Sequence, residues 1–162
     1  EQISDNRMFG MYHSKTNDHN KDVIMQGMAK ADGTIRVVFA TMALGMGVNF
    51  VRLTSTIHYG APRCIDDYFQ ESGRAGRGGE QCTSTIYWSP CNAPLRKDLS
   101  NPRNAEIAAV RRYIENCLDC RRYLLLKYFH RSITATLRSR EPYLCCDNCK
   151  SAFNCSEYNL RV

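Results

Sequence analysis

The segment Cys64-Ile-Asp-Asp-Tyr-Phe-Gln-Glu-Ser-Gly-Arg-Ala-Gly-Arg77 carries side chains suited to phosphate chemistry. On an α-helix Ile65, Tyr68, Phe69 and Ser72 recur at i, i+3, i+4 and i+7 and form one buried face. Gln70, Arg74 and Arg77 follow the same spacing on the opposite face. Gly73 and Gly76 lie between them and let another backbone or a phosphate come close. A guanidinium fork pairs with phosphate oxygens bidentately and keeps its charge at any working pH. In nucleoside triphosphate hydrolysis such an arginine stabilises charge developing on the γ-phosphate, an effect of about a thousandfold or more in rate. The competing reading of Arg74 and Arg77 is a solvated basic face.

The second group is made of cysteines. The chain has nine, and Cys117, Cys120, Cys145, Cys146, Cys149 and Cys155 crowd its last third. An odd count without a secretion signal argues against a disulfide framework and for metal binding in a reducing compartment. Cys146-Asp-Asn-Cys149 is a C-x-x-C knuckle whose two thiolates can reach one tetrahedral zinc ion, with Cys120 as a third candidate. A redox C-x-x-C competes, but that pair belongs between a strand and a helix near the start of a domain. Cys64, Cys82 and Cys91 are scattered and read as small hydrophobes.

These groups need elements to position them. Ile35 to Ala40, Thr54 to Tyr59 and Thr83 to Trp88 read as short strands, the first nearly continuous enough in apolar residues to be buried in a parallel sheet. Helical patterns run from about Asp18 to Lys30 and from about Cys64 to Ala75. This alternation predicts an α/β layer architecture with a parallel sheet. After the first strand, Thr41-Met-Ala-Leu-Gly45-Met46-Gly47-Val48-Asn49 is a glycine-punctuated turn able to offer backbone amides to an anion, although a tight turn alone accounts for it. Pro90 and Pro94 then break the pattern, and helices follow from about Asn104 to Asn116 and from Asp119 to His130. The division falls near residue 90, giving 1–90 and 91–162. The last helix, with Tyr123-Leu-Leu-Leu126 and Tyr128-Phe129, is too apolar to lie free in water and is expected to pack on something.

Lys and Arg number 22 against 16 Asp and Glu, a formal +6 that favours a polyanionic partner. No run of eighteen apolar residues exists to span a bilayer. The start Glu1-Gln2-Ile3-Ser4-Asp5 has no signal-peptide core, so we read the true start as removed by processing or by a cut upstream.

Gln70-Glu-Ser-Gly-Arg-Ala-Gly-Arg77 resembles motif VI of superfamily 2 helicases in its RecQ form, Q-E-T/S-G-R-A-G-R-D-G. DEAD-box RNA helicases carry histidine where this chain has Gln70. Gly78 stands where the family usually has Asp. Phe39-Ala-Thr-Met-Ala-Leu-Gly-Met-Gly-Val-Asn49 is similar to RecQ motif V, with Phe50 where the family often has Lys. Tyr12-His13-Ser14-Lys15-Thr16 resembles the family's Y-H-A-G-L segment. Cys120-Arg-Arg-Tyr-Leu-Leu-Leu-Lys-Tyr-Phe129 followed by Cys-Asp-Asn-Cys resembles the RecQ zinc subdomain.

The resemblance implies a partial second RecA-like lobe followed by a helical zinc-binding subdomain, within an ATP-dependent 3'-to-5' DNA helicase resident in the nucleus. Gln70, Arg74 and Arg77 would then act catalytically on ATP, Gly47 and Asn49 would lie towards the nucleotide with the arginines, and His13 and Thr41 would touch DNA. Zinc would be held by Cys120, Cys146 and Cys149. Because neighbouring cysteines rarely both reach one metal, Cys155 is preferred as fourth ligand, with Cys145 next and Cys117 or His130 after it. The implied partners are DNA, single-stranded or at strand junctions, and a first RecA-like lobe of the same polypeptide.

No G-x-x-x-x-G-K-[ST] loop and no Asp-Glu-x-His box occurs in these residues. ATP with Mg²⁺ would therefore be bound mainly by the first lobe, and the fragment alone is expected not to turn over ATP. The alternative is a catalytically inactive, zinc-stabilised nucleic-acid or protein binding module derived from a helicase.

Overall fold

The structure, a computed structural model, describes residues 7–30, 32–41, 53–92, 101–130 and 142–153. In chain order the elements are β1 (Phe9–Tyr12), α1 (Asp18–Ala29), β2 (Val37–Ala40), β3 (Ser55–Tyr59), α2 (Ile65–Ser72), β4 (Thr83–Tyr87), α3 (Pro102–Glu115), α4 (Arg121–Phe129) and α5 (Asp147–Ser151). Short 3-10 turns lie at Pro90–Asn92 and Pro142–Leu144. The chain divides into two compact units, one of Glu1–Gly60 with Asp66–Ser89 and one of Ala61–Ile65 with Pro90–Val162.

The first unit is α/β, and its strand pairs are parallel. β1 pairs with β2 from Phe9 opposite Val37 to Tyr12 opposite Ala40. β3 pairs with β4 from Ser55 opposite Thr83 to Tyr59 opposite Tyr87. Asn17 caps α1 by accepting from the Asn20 amide at 2.8 Å. Gly10 lets β1 approach α1 closely, since a Cβ there would lie 2.7 Å from Cγ1 of the fully buried Ile24. Ile35 is buried just before β2.

The strands are less enclosed than their composition led us to expect. Phe9, Met11, Val37 and Phe39 are all more than half exposed, as are Ile57, Tyr59 and Tyr87. Residues alternate across a strand. Gly10 turns towards α1 and His58 towards Tyr68 of α2, while the residues between them stay open among the described parts.

Helix α2 is also shorter than predicted. It stops at Ser72, and Arg74 and Arg77 follow on a turn instead of continuing one helical face. The cause is local. The Arg74 and Ala75 amides donate to the carbonyls three residues back, Glu71 and Ser72, so the last turn tightens. Gly76 then adopts φ of 74°, where a side chain would be strained and a Cβ would meet Cys82 Sγ at 2.7 Å. Tyr68 is buried as expected, whereas Phe69 of the same predicted face remains 40% exposed.

In the second unit α3 opens with Asn101 accepting from the Arg103 amide and Pro102 in the first turn. Val110 and Tyr113 on α3 are buried. Leu124, Leu125 and Leu126 of α4 are half-buried, and Tyr128 and Phe129 stay exposed, their rings meeting edge to face at 5.1 Å. The predicted burial of α4 is therefore only partly realised.

Candidate functional site

The turn after α2 gathers the phosphate-directed side chains. Gln70 and Arg77 are exposed and Arg74 is half-buried. The turn is tied to the start of β3, because the Gly76 amide donates to the Leu53 carbonyl at 2.9 Å. A second tie lies one helical turn earlier, where His58 Nε2 meets Glu71 Oε2 at 2.7 Å. Arg74 lies between these two fixed points, and Arg77 just beyond the second.

His13 and Thr41 follow the carboxyl ends of two paired parallel strands, and the Thr41 amide donates to the Tyr12 carbonyl at 3.1 Å. His13 is held in a compact turn. Its own amide donates to Thr16 Oγ1, and its Nδ1 accepts from the Lys15 amide at 3.1 Å, so Nε2 is the ring nitrogen left to donate. A cleft of about 370 Å³ beside it is lined by Arg7, Lys15, Asn17 and Asn20 together with the apolar Phe9 and Met11 of β1. Crevices at the carboxyl ends of parallel strands are common ligand positions in α/β folds.

The sulfurs of Cys120, Cys145, Cys146 and Cys149 all lie within 4.8 Å of one another. Zinc–thiolate bonds of about 2.3 Å in a tetrahedron place sulfurs roughly 3.8 Å apart, so the cluster fits one such ion. Cys120 precedes α4, and its Sγ is 3.5 Å from that of Cys145. Cys146 Sγ accepts from the amides of Arg121 and Cys149, each at 3.4 Å. Burial pushes the Cys149 thiol up, with its bonds to Cys146 and Cys120 adding to the effect. Burial acts against ionisation of Cys120 too, yet the backbone bonds from Tyr123 and Arg122 and the bonds to Cys145 and Cys149 hold that thiol below its ordinary value.

The helicase conserved C-terminal domain family matches residues 1–79. The chain is 33% identical over 131 residues to the bifunctional 3'-5' exonuclease/ATP-dependent helicase WRN of Mus musculus, an alignment covering 74% of this chain and 9% of the relative. It is 34% identical over 131 residues to the ATP-dependent helicase SGS1 of Saccharomyces cerevisiae, covering 74% and 9%. Against the ATP-dependent DNA helicase RecQ of Pasteurella multocida it is 29% identical over 147 residues, covering 85% and 22%. The chain belongs to the RecQ-type helicases of superfamily 2. It spans only 9% to 22% of the length of these relatives. The parallel pair β1–β2 inside the matched region, and β3 with the β4 strand just beyond it, fit a RecA-like lobe.

In this RecQ-type chain the structure brings Gln70, Arg74 and Arg77 to one end of α2, and His13 and Thr41 to adjacent strand ends. Cys120, Cys146 and Cys149 come together with Cys145, which the sequence ranked second. Gly47, Asn49, Phe50 and Cys155 lie outside the described residues. Sequence reasoning missed His58 and Glu71, which are distant in sequence and carry no spacing signal. It also missed the residues that hold the cysteine knuckle. Arg121 pairs with both carboxylate oxygens of Asp147, its Nη2 meeting Oδ2 at 2.8 Å, and also donates to the Tyr113 carbonyl at 2.9 Å. Asn148 Nδ2 donates to the carbonyls of Asn116 and Asp119. The Arg121 contact keeps the Asp147 carboxyl below the usual carboxylate range. Their signal was the pair Asp-Asn inside the knuckle and the Arg directly after Cys120.

Proposed function

We propose that this chain is the part of an ATP-dependent 3'-to-5' DNA helicase that supplies arginines to the ATP cleft and part of the path for one DNA strand. The observation that carries the reading is the Gln70-to-Arg77 string, with its arginines on a short turn fixed to β3. Arg77, exposed at the tip, reaches the transferring phosphate of an ATP held by a first RecA-like lobe. Arg74, half-buried, anchors the turn as well as adding charge, and Gln70 orients the nucleotide side. Gly47 and Asn49 belong to the same nucleotide-facing surface.

His13, through Nε2–H, and Thr41, at the next strand end, contact the backbone of a single strand or a strand junction. Cys120, Cys145, Cys146 and Cys149 hold one structural zinc ion in the second, helical subdomain, which starts near residue 91. The ion supplies a closed four-sulfur crosslink, and Cys145 replaces Cys155 as our choice of fourth ligand because its sulfur already lies in the cluster. Work on DNA in the nucleus belongs to this reading. No helix among the described residues is long and apolar enough to cross a membrane.

The test is Arg77→Ala in the complete protein. ATP hydrolysis should fall by about a thousandfold or more, as expected for loss of an arginine acting on the transferring phosphate, while single-strand affinity changes little. Single-turnover hydrolysis at a near-normal rate would sink the assignment.

A further inference from the structure

We infer that His58 and Glu71 are a positioning pair that sets the arginine turn for hydrolysis. The inference rests on the assignment of Arg74 and Arg77 to the ATP cleft. His58 lies on the side of β3 that faces α2, with its side chain 13% exposed, and its Nε2 meets Glu71 Oε2 at 2.7 Å. A carboxylate only accepts, so Nε2 carries the hydrogen. The ring also packs edge-on against Tyr68 of α2, with centroids 5.1 Å apart. Nδ1 is buried with no hydrogen-bond partner among the described residues. Burying an imidazole with one nitrogen unpaired is costly, so the single contact with Glu71 accounts for the ring's whole polar role there.

Glu71 stands next to Gln70, and its carbonyl accepts from the Arg74 amide. A shift of Glu71 therefore moves the backbone that carries both arginines. The Gly76 amide on the Leu53 carbonyl fixes the turn again, beyond Arg74 but before Arg77. Removing the His58 contact takes away the side-chain tie that lies on the helix side of Arg74. Misplacement by about 1 Å can cost a hundredfold in a catalytic step, so the pair acts on rate through geometry without touching nucleotide.

The experiment measures ATP hydrolysis by the complete protein with single-stranded DNA present, for His58→Ala, Glu71→Ala, the double variant and Glu71→Gln. Thermal unfolding is followed on each. We expect kcat to fall at least tenfold in both alanine variants with little change in KM for ATP, and the double variant to be no worse than either single one. Glu71→Gln, whose amide oxygen still accepts from Nε2–H, should recover most of the rate. Normal kcat in a folded alanine variant, additive losses in the double variant, or a Glu71→Gln protein as slow as Glu71→Ala would each overturn the pairing. Should the alanine variants fail to fold, Glu71→Asp carries the test: it keeps the charge but draws the carboxylate back, so kcat should fall severalfold, and an unchanged rate counts against the pair. Arg77→Ala run alongside separates the two ideas. If Arg77→Ala is inactive and Glu71→Ala is normal, the positioning fails while the arginine assignment stands; if Arg77→Ala is normal, the assignment itself has failed.

Discussion

Cys145 and Cys146 are neighbours in sequence, and an extended chain would send their sulfurs to opposite sides. Here the chain changes direction between them. Cys145 follows the 3-10 turn Pro142–Leu144, and Cys146 is the N-cap of α5, so both face Cys120. Cys120→Ser, Cys145→Ser, Cys146→Ser and Cys149→Ser are each expected to lose zinc, and Cys155→Ser to keep it, as read by metal content from mass spectrometry. Full zinc in the Cys145 variant with none in the Cys155 variant would restore the choice made from spacing alone. Structural zinc contributes roughly 10 to 16 kcal/mol of apparent binding energy in small peptides near neutral pH, so loss of the ion should also expose α4 and lead to aggregation. The cysteines and arginines were legible in the sequence because their chemistry resides in the side chain itself. The rule against neighbouring ligands assumes straight backbone, whereas the chain turns between Cys145 and Cys146.

At the scale of elements, the knuckle is held by more than its sulfurs. Arg121 crosses from the start of α4 to Asp147 and to the carbonyl of Tyr113 near the end of α3, while Asn148 bonds the corner at Asn116 and Asp119. Such outer contacts orient metal ligands, and losing one typically costs 10- to 100-fold in metal affinity. Arg121→Ala should therefore weaken zinc binding by about that factor in a chelator competition, and Arg121→Lys should recover little, since an ammonium cannot match a carboxylate with two parallel bonds. Unchanged affinity in Arg121→Ala would mean that the sulfurs organise themselves. The strands at 37–40, 55–59 and 83–87, and the helices at 18–29, 102–115 and 121–129, followed their apolar patterns closely. β1 was missed because Phe9-Gly-Met-Tyr12 is short and contains a glycine, whose place there depends on Ile24 of α1. The end of α2 was missed because helical periodicity continues through Arg77 on paper, whereas Gly76 in a left-handed conformation stops it.

For the whole molecule the question is how a surplus of six positive charges meets a strand. Some cations are already engaged within the chain: Lys21 with Asp18, Arg111 with Glu115, and Arg121 with Asp147. Arg7 and Lys15 line the cleft that runs along β1 to His13, where a single strand's phosphates would pass in the proposed path. Neutralising phosphates releases counterions, so affinity should fall with salt by a slope of about −0.7 in log–log form for each phosphate engaged on a single strand. If Arg7 and Lys15 take one phosphate each, Arg7→Ala with Lys15→Ala should flatten the slope by about 1.4 and weaken binding evenly across sequences, since phosphate contacts carry no base information. The Arg77→Ala protein should keep the full slope, because its guanidinium is assigned to ATP. Titrations of a labelled single strand at several salt concentrations decide the matter. A slope near zero in the unmodified protein would make the positive surplus merely solubilising, and a slope left intact by the double variant would move the strand away from the β1 cleft.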